Sequence, residues 1–91
     1  MSATVRIPTI LRTYTAGAGE VAADGGTLAE LLESLETNHK GIRARILDDA
    51  GQLRRFVNVY VGEEDVRFSG GLEAPVPDGA KVSIIPAVAG G

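Results

Sequence analysis

Only one stretch of this sequence can form a helix of any length, and that helix can bury only one side. Leu28, Leu31, Leu32 and Leu35 recur at helical spacing, while Glu30, Glu33 and Glu36 fall off the stripe. Thr27-Leu28-Ala29-Glu30 is a capping box at its start. The Thr27 hydroxyl can accept from the Glu30 amide, and the Glu30 carboxylate can reach back to the Thr27 amide. The helix is expected to stop near Asn38-His39-Lys40-Gly41, with Gly41 left-handed just past the end. A single amphipathic helix needs an apolar sheet to lie on, and the rest of the chain supplies it in strand-sized pieces.

Residues 56–61 (FVNVYV) alternate, Val57, Val59 and Val61 facing one way and Phe56, Asn58 and Tyr60 the other. Residues 81–85 repeat the pattern with Val82 and Ile84 inward, and Pro86 ends the run. Residues 4–11 open as a strand, Val5 and Ile7 opposed to Thr4 and Arg6, made irregular by Pro8. A turn over 14–19 and a weaker strand over 20–23 complete an N-terminal hairpin. Residues 42–47 are expected to add a short helical turn burying Ile42, Ile46 and Leu47, and Val66 with Phe68 a short strand. Residues 48–51, 62–65, 69–71 and 77–79 read as turns. The order is strand, strand, helix, strand, short elements, strand. This predicts an α+β fold, a mixed sheet with one main helix packed across it and the last strand beside the first in the sheet centre. That arrangement is the ubiquitin-like β-grasp.

At 91 residues the chain is one domain, 1–91, with a modest core and little wall around any deep cavity. It has no cysteine, which excludes a disulfide framework, a thiolate zinc site, an iron–sulfur cluster and a cysteine nucleophile. One histidine excludes histidine-rich metal sites. A net charge of −3 argues against nucleic acid as the main partner. No run of about 18 apolar residues is present, and the first residues lack the basic-then-apolar plan of a signal peptide. The expectation is a cytoplasmic protein with no membrane contact.

Most candidate motifs carry little chemistry. Gly17-Ala18-Gly19 lacks the strand-to-helix context of a phosphate loop and reads as a hairpin turn. His39 has no partner motif and belongs to the last turn of the helix. Glu63-Glu64-Asp65 matches no calcium-loop spacing and reads as a solvated turn. Arg43, Arg45, Arg54 and Arg55 read as a solvated face. What remains is Gly90-Gly91 after a strand and a proline. Two residues without Cβ can enter a narrow channel. Residues 86–91 are expected to form a flexible C-terminal tail, with Gly91 its reactive terminus and Gly90 the slender approach. The outward side chains Phe56, Tyr60 and Ile85 form an apolar patch at the tail root, the expected partner-binding surface together with Ala87, Val88, Ala89 and Gly90.

Residues 78–91 (DGAKVSIIPAVAGG), 5–12 (VRIPTILR) and 56–72 (FVNVYVGEEDVRFSGGL) together resemble the ThiS/MoaD sulfur-carrier proteins, in particular their cysteine-biosynthetic branch. The resemblance covers nearly the whole chain and is weakest over 13–26 and 44–53. It implies a protein cosubstrate with no catalytic residues of its own. An ATP-dependent activating enzyme would adenylate the Gly91 carboxylate, and a sulfur donor would convert it to a thiocarboxylate. A pyridoxal-phosphate cysteine synthase would then present an aminoacrylate to the sulfur. The adduct would shift from thioester to amide, and a zinc metallopeptidase would release cysteine. ATP, pyridoxal phosphate and zinc would belong to those partners; this chain is expected to bind no cofactor or metal. The resemblance leaves other acceptors open, among them molybdopterin, thiamine or a thiosugar metabolite. A second reading is a ubiquitin-like modifier joined to lysine, and a third is a binding module with an inert tail.

Overall fold

The computed structural model describes residues 2–86. Five strands form one sheet: β1 (Ser2–Arg6), β2 (Glu20–Asp24), β3 (Val57–Val61), β4 (Glu64–Asp65) and β5 (Lys81–Pro86). The order across the sheet is β2-β1-β5-β3-β4. β1 pairs antiparallel with β2 and parallel with β5, and β3 pairs antiparallel with β5 and β4. The expected N-terminal hairpin and the central position of the last strand are both present. α1 (Leu28–Asn38) lies across the sheet, followed by the single turn α2 (Arg43–Ile46).

The helix stripe does what its spacing requires: Leu28, Leu31, Leu32 and Leu35 are all buried. They meet the inner face of the sheet, where Val5, Val59, Val82 and Ile84 are buried too. Ile42, Ile46 and Leu47 fill one end of the same core. At the start of α1 the Thr27 hydroxyl accepts from the Glu30 N–H at 3.3 Å. The reciprocal bond falls one residue earlier than the capping box predicts, because the Glu30 carboxylate accepts from the Gly26 N–H at 2.8 Å. The chain enters by hugging the first turn: a Cβ on Gly25 (φ +150°) would stand 2.5 Å from the Leu31 nitrogen.

Four local expectations need correction. Residues 9–11 are not strand but the start of a 3-10 helix, Thr9–Thr15, which also takes in Tyr14 and Thr15 from the expected 14–19 turn. Pro8, extended and without an N–H, ends the β1 extension. The Leu11 N–H then bonds back to the Pro8 carbonyl at 2.9 Å, turning Leu11 inward and Ile10 out. Val66–Phe68 is also a 3-10 turn. A strand would place both side chains on one face, whereas Val66 is buried and Phe68 is 87% exposed. Residues 64–65 are β4 rather than turn, paired with Val61 and Tyr60 across a tight reversal at Gly62 (φ +63°). β5 runs through Pro86, which lies opposite Val57, one residue beyond the expected end.

Candidate functional site

β3 and β5 hold the outward face. The register sets Asn58 opposite Ile85 and Tyr60 opposite Ser83. Alternation then separates neighbours sharply: Ile84 is 4% exposed and points into the core, while Ile85 is 47% exposed and points away. Phe56, just before β3, is 52% exposed. Tyr60 is only half-buried, so the expected patch is most open at Phe56 and Ile85. The Arg55 guanidinium lies 5.6 Å from the Phe56 ring centroid, within cation–π range. Residues Ala87, Val88, Ala89, Gly90 and Gly91 lie outside the described residues.

The loop carrying Phe56 is held by a residue that the alternation pattern could not single out. β4 has two residues, so the β3 edge is left without a strand partner beside Val57 and Asn58. Arg67 fills that place. Its guanidinium donates to the Val57 carbonyl at 2.8 Å, the Arg54 carbonyl at 2.9 Å and Asn58 Oδ1 at 2.6 Å. Its own N–H is accepted by Asp65 Oδ1 at 2.9 Å. The spacing Asp-x-Arg is the one signal that could have found it, as an acidic cap on a short turn. Reading 66–68 as a strand concealed that signal.

Two shallow grooves of about 210 and 290 Å³ flank the end of β5. Pro8, Arg45, Arg54, Val57 and Pro86 belong to the first, and Arg6, Pro8, Arg12, Ser83 and Ile85 to the second. Both fall below the roughly 300 Å³ at which small-molecule pockets begin, and suit protein contact better than an enclosed ligand. The four arginines once read together as a solvated face are split by the fold. Arg45 and Arg54 stand at the strand end, Arg55 over Phe56, and Arg43 beside Glu36 at the α1–α2 junction.

Glu36 is structural. Its carboxylate accepts the Gly41 N–H at 2.9 Å and the Arg43 N–H at 3.0 Å. Those two bonds hold its pKa below the ordinary carboxylate value, with smaller help from the Arg43 and Lys40 charges. His39 caps the C-terminus of α1 through its backbone, its N–H bonding the Leu35 carbonyl at 2.7 Å. Gly17-Ala18-Gly19 lies between the first 3-10 helix and β2, as its hairpin reading requires. Among the described residues no three His, Cys, Asp or Glu side chains group as a metal ligand set. No described helix is long and apolar enough to cross a membrane.

A helix across a mixed sheet of this order, with parallel terminal strands at its centre, defines a ubiquitin-like β-grasp protein. The chain belongs to the ThiS family, whose model matches residues 5–91. The Mycobacterium tuberculosis sulfur carrier protein CysO is 54% identical over 93 residues, covering 100% of both chains. The crystal structure of M. tuberculosis CysO matches with a TM-score of 0.91 at 52% identity, over 94% of this chain and 99% of that one. A chain of the Amycolatopsis orientalis BexX/CysO complex matches with a TM-score of 0.93 at 56% identity, over 98% of this chain and 99% of that one. Small archaeal modifier protein 3 of Haloferax volcanii is 35% identical over 68 residues, 75% of this chain and 73% of that protein. These relatives are named as carriers and a modifier, as befits protein cosubstrates rather than enzymes.

Proposed function

We propose that this chain is a sulfur carrier whose Gly91 carboxylate is activated and exchanged for a thiocarboxylate, with cysteine synthesis as the destination of the sulfur. The observation that carries the proposal is the full-length 54% identity to a protein named as a sulfur carrier. The chemistry is consistent with it. A carboxylate with a pKa of about 3.3–3.7 is ionised at neutral pH and a poor electrophile. Its attack on the α-phosphate of ATP releases pyrophosphate and leaves an acyl-adenylate; a donated sulfur then displaces AMP. The resulting terminus is a nucleophile, and an activated serine derivative on a pyridoxal-phosphate enzyme is a fitting acceptor. A zinc metallopeptidase would release the cysteine formed. ATP, pyridoxal phosphate and zinc act in those partners.

The face at Phe56, Tyr60 and Ile85 is proposed to dock the activating enzyme, with residues 87–90 threading its channel. The A. orientalis complex supports the idea that a carrier of this kind works bound to a partner protein. The same carrier chemistry would serve molybdopterin, thiamine or thiosugar acceptors. Kinship with a small archaeal modifier favours one further reading, conjugation of Gly91 to lysine. A lysine amine, with a pKa near 10.4, needs an added ligase to be delivered deprotonated, so sulfur transfer asks for fewer parts.

Deleting Gly91, or adding one residue after it, should abolish ATP–pyrophosphate exchange with the activating enzyme while leaving the thermal melt unchanged. Intact mass from a sulfur-replete host should show a fraction heavier by sulfur minus oxygen. Mixed with a cysteine synthase and an activated serine, that fraction should gain one cysteine. Exchange that survives the deletion refutes the carrier reading. Lysine-linked Gly-Gly remnants dependent on this gene, with no cysteine adduct, would install the modifier reading. Sulfur lost to another small molecule would keep the carrier and change the acceptor.

A further inference from the structure

The chain has 12 carboxylates against nine lysines and arginines, yet among the described residues only one ion pair forms, Lys81–Glu20 at 3.8 Å. No arginine forms an ion pair with a carboxylate there. The arginines are instead concentrated where β5 ends. Arg45 and Arg54 line one groove beside Pro86, and Arg6 and Arg12 the other beside Ile85. Arg55 covers Phe56, next to Val57, which pairs with Pro86 at the strand end. No acidic side chain lines either groove. Arg6 stands opposite Glu20 in the β1–β2 register, and it is left out of the collar on that account.

Two of these side chains are held in place by the backbone. Arg12 Nε donates to the Ile7 carbonyl at 3.1 Å, and Arg54 Nε to the Ala44 carbonyl at 3.0 Å. An Nε bond to a carbonyl orients the guanidinium without cancelling its charge. Among the described residues the Nη nitrogens of Arg12 and Arg54 make no hydrogen bond, which leaves the fork that matches a carboxylate available. Orientation without neutralisation differs from a merely solvated face, where long side chains are free to wander.

We infer that Arg12, Arg45, Arg54 and Arg55 form a basic collar around the end of β5, and that it docks an acidic protein surface: carboxylates framing an apolar seat on the activating enzyme. The inference rests on the carrier reading, since that reading puts a partner at this end. Charge complementarity selects the occupant. A polyanion such as duplex DNA is disfavoured, because the remainder of a chain with net charge −3 would repel it. A protein surface with local carboxylates meets the collar without facing the rest. Such complementarity acts mainly on association rate and salt dependence, whereas the apolar centre governs dissociation.

The test uses the full chain and the purified activating enzyme, with association and dissociation followed by stopped flow or biolayer interferometry from 50 to 500 mM NaCl. The triple variant Arg12→Glu/Arg45→Glu/Arg54→Glu should lower the association rate at least tenfold at 50 mM salt. The deficit should shrink towards nothing at 500 mM, where the Debye length is only a few ångströms. The dissociation rate should change less than threefold. Lys81→Glu, which makes the same charge change per site at the opposite end of β5, should leave the rates near wild type. Arg→Gln replacements at the three positions serve if the Glu variant melts early, with a smaller loss in the same direction. An unchanged association rate in folded variants, or a loss equal to that of Lys81→Glu, overturns the collar. So does wild-type binding to a labelled 20-base-pair duplex as tight as to the enzyme. If wild-type chain is never adenylated by the enzyme, the carrier reading fails; if it is adenylated and the variants bind normally, the collar alone fails.

Discussion

Ile84 and Ile85 are adjacent and chemically identical, yet substituting each by aspartate should have opposite consequences. Ile84 is 4% exposed beneath α1. Emptying an Ile-sized site costs about 2–5 kcal/mol, and an unpaired buried carboxylate adds several more unless it takes up a proton. The whole stability of a domain of this length is about 5–14 kcal/mol at roughly 0.05–0.15 kcal/mol per residue. Ile84→Asp should therefore leave little folded protein at 25 °C. Ile85 is 47% exposed on the other face, so about half of a 1.5–3 kcal/mol burial is at stake. Loss of strand propensity adds up to about 1 kcal/mol. Ile85→Asp should lower stability by about 1–2 kcal/mol, a fall in melting temperature of about 5–15 °C by far-UV circular dichroism. Its larger effect should be on docking. Removal of a central apolar anchor costs about 1–3 kcal/mol, or about 5- to 150-fold in Kd for the activating enzyme by calorimetry. A folded Ile85→Asp that binds like wild type refutes the docking face. An Ile84→Asp as stable as Ile85→Asp refutes the assignment of the two faces.

Gly25→Ala should destabilise by about 2–5 kcal/mol, combining overpacking with a disfavoured backbone angle; the new Cβ would press on the backbone at Leu31 and Glu30, and a denaturation midpoint within error of wild type would refute that contact. Glu36 titrates lower in the folded chain than in the unfolded one, because the Gly41 and Arg43 N–H groups bond its charged form. Its contribution should thus be complete at neutral pH and fade as pH falls below the ordinary carboxylate value of about 4.3. Glu36→Gln should be less stable than wild type at pH 7, and the gap should narrow towards pH 3; a gap that is constant with pH would remove the role assigned to its charge.

The sequence by itself was enough for the elements whose pattern and chemistry agree. The four-leucine stripe, the Thr27 cap and the Val57–Val59 and Val82–Ile84 alternations are local patterns that one helix end or one buried face can satisfy, while the pairing of the terminal strands was read from the order of the elements as a β-grasp. The outward phase of Phe56 and Ile85 followed from the same alternation. Tertiary structure decided what depends on groups far apart in the chain. Pro8 could end a strand or interrupt it, and the inward turn of Leu11 settled the matter in favour of a 3-10 helix. Val66 and Phe68 share a strand-like spacing, but β4 is too short to cover the β3 edge. The Arg67 guanidinium satisfies those carbonyls instead, across nine to 13 residues of sequence. Arg12, Arg45, Arg54 and Arg55 were legible as charges and not as a collar. A guanidinium gains its meaning from the carbonyl that orients it and the strand end beside it, and both are placed only when the sheet closes.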